Sequence, residues 1–446
     1  MLSLNAIDYT VRQLVAIAFP QSETLSPSIH CSDSVVTVCL NDFSIRFPLW
    51  NNQEFEAFLA GDMATFYLEP QIPVFALANA QKPSISYLES ELCLEIPYDI
   101  ISPAFVLLSR YEEYDTTAVD EHGRFPYKGS LAEKYDIVEI PLVDEYALWL
   151  RNAVEKYCPG KIPFQSRKPK IVPTHDIDLL YRFKNCFQAL RSIFGRDLLI
   201  NRDFEMVRKS LAEYRAWKRD NFKDPYILSI LKFSEMEHAA GHEPVFFFKA
   251  LNQGEEDASY DIRDTRLSSV WQGLWNEEAV FGLHGSYKSA DDVGSLCLER
   301  ERLESCLSYP KRSVTHARQH FLRAHFAGNL NSLDLWQEAG ITDDYTLGFA
   351  ERCGFRCGTC HPYPLYDVRN DRVTNITEHP LIVMDGTLFD YMKLPVNEAK
   401  ALALKLKQRC LDVEGDFVIL WHNHTTTREF ETYYNTVYLP LLTNDY

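Results

Sequence analysis

The sequence predicts an α/β protein in which a parallel, helix-covered sheet, with strands enough to close a barrel, follows a smaller α+β domain. Three observations lead there. From residue 170 onward, apolar runs recur at 170–172 (KIV), 244–249 (PVFFFK), 279–283 (AVFGL), 381–384 (LIVM) and 417–421 (FVILW). Helical stretches such as 396–413 separate them, the pattern of parallel strands buried on both faces. Before residue 161, shorter strand-like runs mix with helices, and a basic, proline-bearing segment at 161–173 (KIPFQSRKPKIVP) divides the two parts.

Taken in order, 34–40 and 44–48 read as strands, and 54–65 and 143–157 as helices. The stretches 109–114 (SRYEEY) and 120–125 (DEHGRF) crowd charge and aromatic rings into a helix end and loop. They are expected to form a solvated turn or a salt-bridge network at a domain interface. The boundary falls within the basic segment, giving an N-terminal α+β domain over 1–165 and a barrel domain over 166–446.

Across 446 residues, 46% hydrophobic and 24% charged side chains describe an ordinary globular chain. The net charge of −18, with no cluster of lysines and arginines, excludes a nucleic-acid surface, which needs such clusters to neutralise phosphates. No stretch approaches the ~18 apolar residues of a membrane span. The opening residues lack the basic start and small-residue cleavage site of a secretory signal, so a cytoplasmic location is expected. Eleven cysteines without a framework spacing fit reduced thiols there. Gly285 and its neighbours form no phosphate-binding pattern, so no nucleotide cofactor is expected.

The chemistry concentrates where strand-like runs stop. Thr174-His175-Asp176-Ile177-Asp178 closes the first run, and residues two apart in a strand point the same way, so Asp176 and Asp178 can face one pocket. His284 and His422 close two others. Barrel enzymes keep their chemistry at these C-terminal strand ends. A divalent metal such as zinc needs nitrogen and oxygen ligands converging there, with one position left open. Asp178 and His284 are the first two candidates, and His320, in the segment 315–320 (THARQH), is the best third, with His316 as its local rival.

A metal makes water acidic enough to attack a carbonyl, and a nearby carboxylate can take the proton. Asp176 suits that base, and His422 suits the acid that protonates a leaving amine or alcohol. Arg318 can position Asp176 through a charged hydrogen bond. Each residue also has a plainer reading in isolation: an N-cap for Asp178, a surface histidine for His284, a core imidazole beside Asn423 for His422, a surface ion pair for Arg318.

With these motifs in this order, the chain from residue 170 to the end resembles the polysaccharide deacetylase family, the NodB-like carbohydrate esterases with a distorted (β/α) barrel. The family's first motif carries a base aspartate and then a metal-binding one, matched by Asp176 and Asp178. Its second has two histidines four residues apart. His284 matches the first, and Lys288 stands at the second. The arginine motif, usually Arg-x-Pro-Tyr, resembles Arg318-Gln319-His320-Phe321, with His320 replacing proline and standing in for the missing ligand. The last, an apolar strand ending Leu-His, resembles Ile419-Leu420-Trp421-His422.

The branch it most resembles places such a barrel after an N-terminal domain of unknown function, with strands at Gly354-Phe355-Arg356 and at Met384-Asp385-Gly386-Thr387-Leu388. The resemblance implies a metal-dependent hydrolase, with a divalent ion such as zinc, removing an acetyl or similar acyl group from an amino sugar or polysaccharide precursor. An acetylated sugar or glycan is thus the expected partner. Two competitors stand beside it: hydrolysis of a non-sugar C–N bond, and a glycan-binding barrel without catalysis, to which Lys288 lends weight.

Cys357-Gly358-Thr359-Cys360-His361 matches the spacing for covalent haem attachment, but this segment is expected instead as a strand and loop lining the pocket. A structural zinc on Cys353, Cys357, Cys360 and His361 is a minority reading. Asp343, Asp344, Tyr345 and Asp385 fall near strand ends, where they contact substrate hydroxyls or cap helices. Trp271, Trp275 and Trp421 stack on sugar rings or, as the safer expectation for most, pack in the core.

Overall fold

Buried and half-buried residues alternate along Val35–Leu40 and Phe43–Pro48, so Val36, Val38, Ile45 and Phe47 present one apolar face. In this computed structural model these strands sit within a five-stranded sheet ordered Ser28–Ser32, Val35–Leu40, Phe43–Pro48, Cys93–Glu95, Ser86–Leu88. Helices Leu4–Ala18, Ile101–Leu108 and Leu142–Tyr157 join its apolar side chains in one core. The structure describes residues 2–21, 26–32, 34–68, 71–77, 85–200, 202–257, 260–307, 313–328 and 331–443. The helix expected over 54–65 is shorter, Asn52–Ala60: Gly61, at φ 86, ends it in a left-handed turn. Ala64–Leu68 then pairs with Ile72–Ala76 as an antiparallel hairpin.

Nine strands make the larger sheet: β1 (Lys170–Ile177), β2 (Val245–Phe248), β3 (Val280–Gly285), β4 (His316–Gln319), β5 (Asp343–Asp344), β6 (Tyr363–Asp367), β7 (Arg372–Glu378), β8 (Val383–Met384) and β9 (Asp416–Leu420). Their order is β6-β7-β5-β4-β3-β2-β1-β9-β8, and every ladder but β6 with β7 is parallel. The apolar runs of the sequence thus become strands covered by helices such as Leu267–Asn276 and Val396–Asp412. Among the described residues the ladder does not close on itself, and β6 and β8 are its edges.

The sheet is nevertheless strongly curled. His320, after β4, and His422, after β9, stand four strands apart and would be about 19 Å from each other across a flat sheet. Both reach Asp178, at 3.4 and 3.5 Å. Val245, Phe247, Tyr345, Val418 and Leu420 form an apolar cluster of their own within the curl. Crowding there requires glycine at 282, where a Cβ would lie 2.3 Å from the Phe247 ring.

Gly354-Phe355-Arg356 is not a strand. Gly354 takes φ 142, a Cβ there would lie 2.2 Å from the Val138 carbonyl, and Phe355 N donates to that same oxygen. This segment, with 357–361, packs against the N-terminal region rather than lining the pocket. Asp144 accepts from Thr359 and from the Cys360 backbone, and His361 Nε2 meets the Val413 carbonyl. The haem-like spacing is therefore buried packing.

The charged stretch at 109–114 belongs to the same junction. Glu113, buried, accepts from both Arg110 and Arg356, themselves buried. Of the two readings this is a buried salt-bridge network rather than a solvated turn, and breaking such a buried pair costs about 3–5 kcal/mol. Arg151 grips Glu414 with two hydrogen bonds nearby. No helix among the described residues is long and apolar enough to cross a membrane.

Candidate active site

β1 carries Asp176 near its C-terminal end and Asp178 just beyond it, and both line a cavity of about 160 Å3 with His284, His320 and His422. His284 lies on β3, one residue before the strand ends, and its Nδ1 meets the Arg318 carbonyl at 2.9 Å. With the proton on Nδ1, the Nε2 lone pair is free, and Nε2 is buried without a hydrogen-bond partner. His320 Nδ1 lies 3.0 Å from Asp257 Oδ1, which orients its Nε2 in the same way. The two Nε2 atoms lie 3.3 and 3.4 Å from Asp178 Oδ1.

Asp178, His284 and His320 can therefore hold a metal ion, their ligand atoms all lying within 4.8 Å of one another. Orphaned buried nitrogen, carboxylate oxygen and oriented imidazoles are the donor set such an ion uses. Burial alone would raise the Asp178 carboxyl, but His320, Lys249 and His284 outweigh it and hold it well below the usual range. Burial in turn lowers His320, against the pull of Asp178 and Asp257.

Asp176 faces this group, its Oδ2 3.7 Å from His284 Nε2. Arg318 Nη1 donates to Asp176 Oδ1 at 3.0 Å and to Thr174 Oγ1, while Arg318 Nε donates to the Tyr345 carbonyl. Arg318 is fully buried over the Phe247 ring, which sets aside a surface ion pair. On the far side, His422 Nδ1 lies 2.7 Å from Asp385 Oδ1, turning Nε2 toward Asp178 Oδ2 at 3.5 Å. Burial would lower His422, but the charge and hydrogen bond of Asp385, helped by Asp178 and Asp176, raise it to about 9. The neighbouring His424 goes the other way, to about 4, through burial and the charge of His422.

Several expectations need correction. Asp385 neither caps a helix nor faces solvent. It is buried, backs His422 and accepts from Thr425. The strand expected at 384–388 stops at Met384, and Thr387–Tyr391 is helical. His316 begins β4, at the opposite end of the sheet, beside Asp343. Asp344 is buried against Thr346, and Tyr345 stacks on His379, so neither faces the cavity. In line with the safer expectation, Trp271 and Trp421 are core residues, against Phe248 and Tyr438, and Trp275 packs on Phe281. Lys288 is exposed and outside the ligand group.

Sequence reasoning missed Lys249, Asp257 and Arg124. Lys249 directly follows β2 and carries the same strand-end signal as His284, but a lysine is not a metal ligand of the kind that pattern pointed to. Asp257 lies in a loop with no such signal. Arg124 comes from the N-terminal stretch 120–125, lines the cavity, donates to the Phe321 carbonyl and meets the Tyr391 hydroxyl. Phe321 and Leu322 are left-handed, at φ 61 and 56, so Arg124 props the uncommon turn that follows His320.

Against known proteins, a model of a family of unknown function, DUF7033, matches residues 6–159. A search of curated proteins returned no match. Among solved structures, a candidate polysaccharide deacetylase from Mycobacterium smegmatis aligns over 63% of this chain and 86% of its own, at 12% identity and TM-score 0.38. A 4-alpha-glucanotransferase from Thermococcus litoralis aligns over 62% of this chain but only 37% of its own, at 16% identity and TM-score 0.34. Both likenesses are distant.

Proposed function

We propose that this chain is a metal-dependent hydrolase that removes an acetyl or similar acyl group from an amino sugar or glycan precursor. One observation carries the reading. In a single cavity, a carboxylate held by an arginine and an imidazole backed by a carboxylate flank three convergent ligand groups. Asp178, His284 and His320 would hold a divalent ion, and two nitrogens with one oxygen suit zinc. Such an ion supplies Lewis acidity to water and to a carbonyl oxygen.

The chain's own residues divide the proton work. Asp176, fixed by Arg318, takes the proton of the attacking water. His422 carries a proton on Nε2, kept there by Asp385, and delivers it to the departing amine or alcohol. Arg318 is a positioning residue, since its contacts are with Asp176, Thr174 and backbone. A cavity of about 160 Å3 admits an acyl group and leaves the rest of a glycan at the mouth.

The test is release of acetate from a panel of acetylated amino sugars, run beside cyclic amides, with zinc-loaded full-length protein. Acetate from at least one sugar is expected, with Asp176→Asn losing about 10²–10⁴ in rate while keeping its zinc. Opening of cyclic amides alone would hand the site to the non-sugar alternative, and no turnover of either class would leave a binding protein.

A further inference from the structure

We infer that Lys249 is the resident cation of the Asp178–His320 group, and that a metal enters only by displacing its ammonium, so that this lysine sets how tightly the metal is held. The inference rests on the metal site proposed above. Lys249 follows β2 and is buried at 2% exposure. Its Nζ lies 3.0 Å from Asp178 Oδ1, 3.5 Å from Asp257 Oδ1, and 3.0 and 3.2 Å from His320 Nε2 and Nδ1. It is thus surrounded by two of the three prospective ligands and by the carboxylate that orients one of them.

Competition follows from charge and space around the prospective ligands. An imidazole with its proton on Nδ1, donated here to Asp257, has a single acceptor site, the lone pair of Nε2. Nζ, nearly equidistant from the two ring nitrogens, sits over the edge that joins them rather than along that lone pair, and a positive charge so close to the coordinating nitrogen repels a dication bound there. Asp178 Oδ1 is contested in the same way, because Zn–O contacts of about 2.0–2.2 Å fall inside the 3.0 Å shell that Nζ now occupies. Charge acts in the same direction. With Lys249 present, two carboxylates face one ammonium, and without it they face the incoming dication unopposed.

The backbone here is anchored, so the side chain is what moves. Lys249 N donates to the Tyr260 hydroxyl, which donates to the Ile177 carbonyl, tying the ends of β1 and β2 together. A four-carbon stem on a fixed Cα lets the ammonium swing away while the ligands stay. In the metal-free protein the same ammonium offsets the charge of Asp178 and Asp257 by ion pairing, although Asp178 Oδ1 accepts no hydrogen bond.

Zinc binding to the full chain, measured by competition with a chromophoric chelator, tests this in wild type, Lys249→Met and Asp178→Ala, with circular dichroism to confirm folding. Lys249→Met is expected to bind zinc at least about tenfold tighter than wild type, within the 10–100-fold range by which residues behind the ligands shift affinity. Its metal-free melting temperature should be lower and its gain on adding zinc larger. If wild type binds about one equivalent and Lys249→Met binds no tighter, the lysine inference fails while the metal site survives. If both fold and neither binds zinc, the metal reading itself falls and takes the inference with it. Should Lys249→Met not fold, lysine labelling of wild type, mapped by mass spectrometry, decides: faster modification of Lys249 with zinc is expected, and an unchanged rate overturns displacement.

Discussion

Both ends of the nine-stranded sheet gather histidines and aspartates, but among the described residues only one end aims imidazole nitrogens and a carboxylate at a common centre. At the C-terminal ends of the strands, His284 and His320 satisfy Nδ1 on an oxygen and turn Nε2 toward Asp178. At the opposite end, a cavity of about 400 Å3 is lined by Lys168, Lys170, His316 and His379. There His379 Nε2 lies 3.1 Å from Asp343 Oδ1, and His316 Nδ1 lies 4.0 Å from Oδ2. Both rings stack on Tyr345. Asp343 is engaged by the imidazoles themselves, and no convergent trio forms there among the described residues. Residue type alone does not make a site. The acceptors that fix each imidazole's tautomer decide where its lone pair goes.

The comparison breaks first at Asp178. Asp178→Ala is expected to weaken zinc binding by more than about a hundredfold, since it removes a ligand outright; retention of one tightly held equivalent would mean the ion sits elsewhere. Asp257→Asn, which touches no ligand position but frees the His320 ring, should weaken zinc about 10–100-fold, read by the same chelator titration.

Asp385→Asn sharpens the role of the paired histidine. His422 is raised from 6.5 to about 9, so the stability drawn from its pair with Asp385 is full below pH 6.5 and disappears as pH rises through 9. The melting-temperature gap between wild type and Asp385→Asn should therefore be widest below pH 6.5 and close above 9. In activity, the alkaline limb should move to lower pH in the variant, because proton donation by His422 is lost earlier. A limb that stays in place would remove His422 as the acid.

The smallest effect belongs to the other mouth. His379→Ala gives up one charge-assisted contact and a ring stack, so a stability loss of about 1–2 kcal/mol is expected by denaturant melting. Its zinc affinity should equal that of wild type. A drop there would erase the distinction between the two ends.

Much of this was legible in the chain. The runs at 170–172, 244–249, 279–283 and 417–421 became strands because continuous apolar segments flanked by helices have no stable home but a sheet covered on both faces. Asp176, Asp178, His284, His320 and His422 were nominated by strand-end position, and the curl of the sheet brings all five to one cavity. Gly354-Phe355-Arg356 was misread because its strand came from the resemblance alone, while contacts with the distant Val138 and Glu113 hold the segment instead. Asp385 was misread because its sequence neighbours say nothing of a histidine far along the chain.

By itself, then, the sequence determined which elements form and which side chains end each strand, because periodicity and burial act over a few neighbouring residues. The tertiary structure alone decided that His320 rather than His316 joins Asp178, that Lys249 lies among the ligands, and that Arg124 reaches the cavity from the N-terminal region. Those outcomes depend on the curl of the sheet and on contacts between residues far apart in the chain, and no local pattern encodes a distance between them.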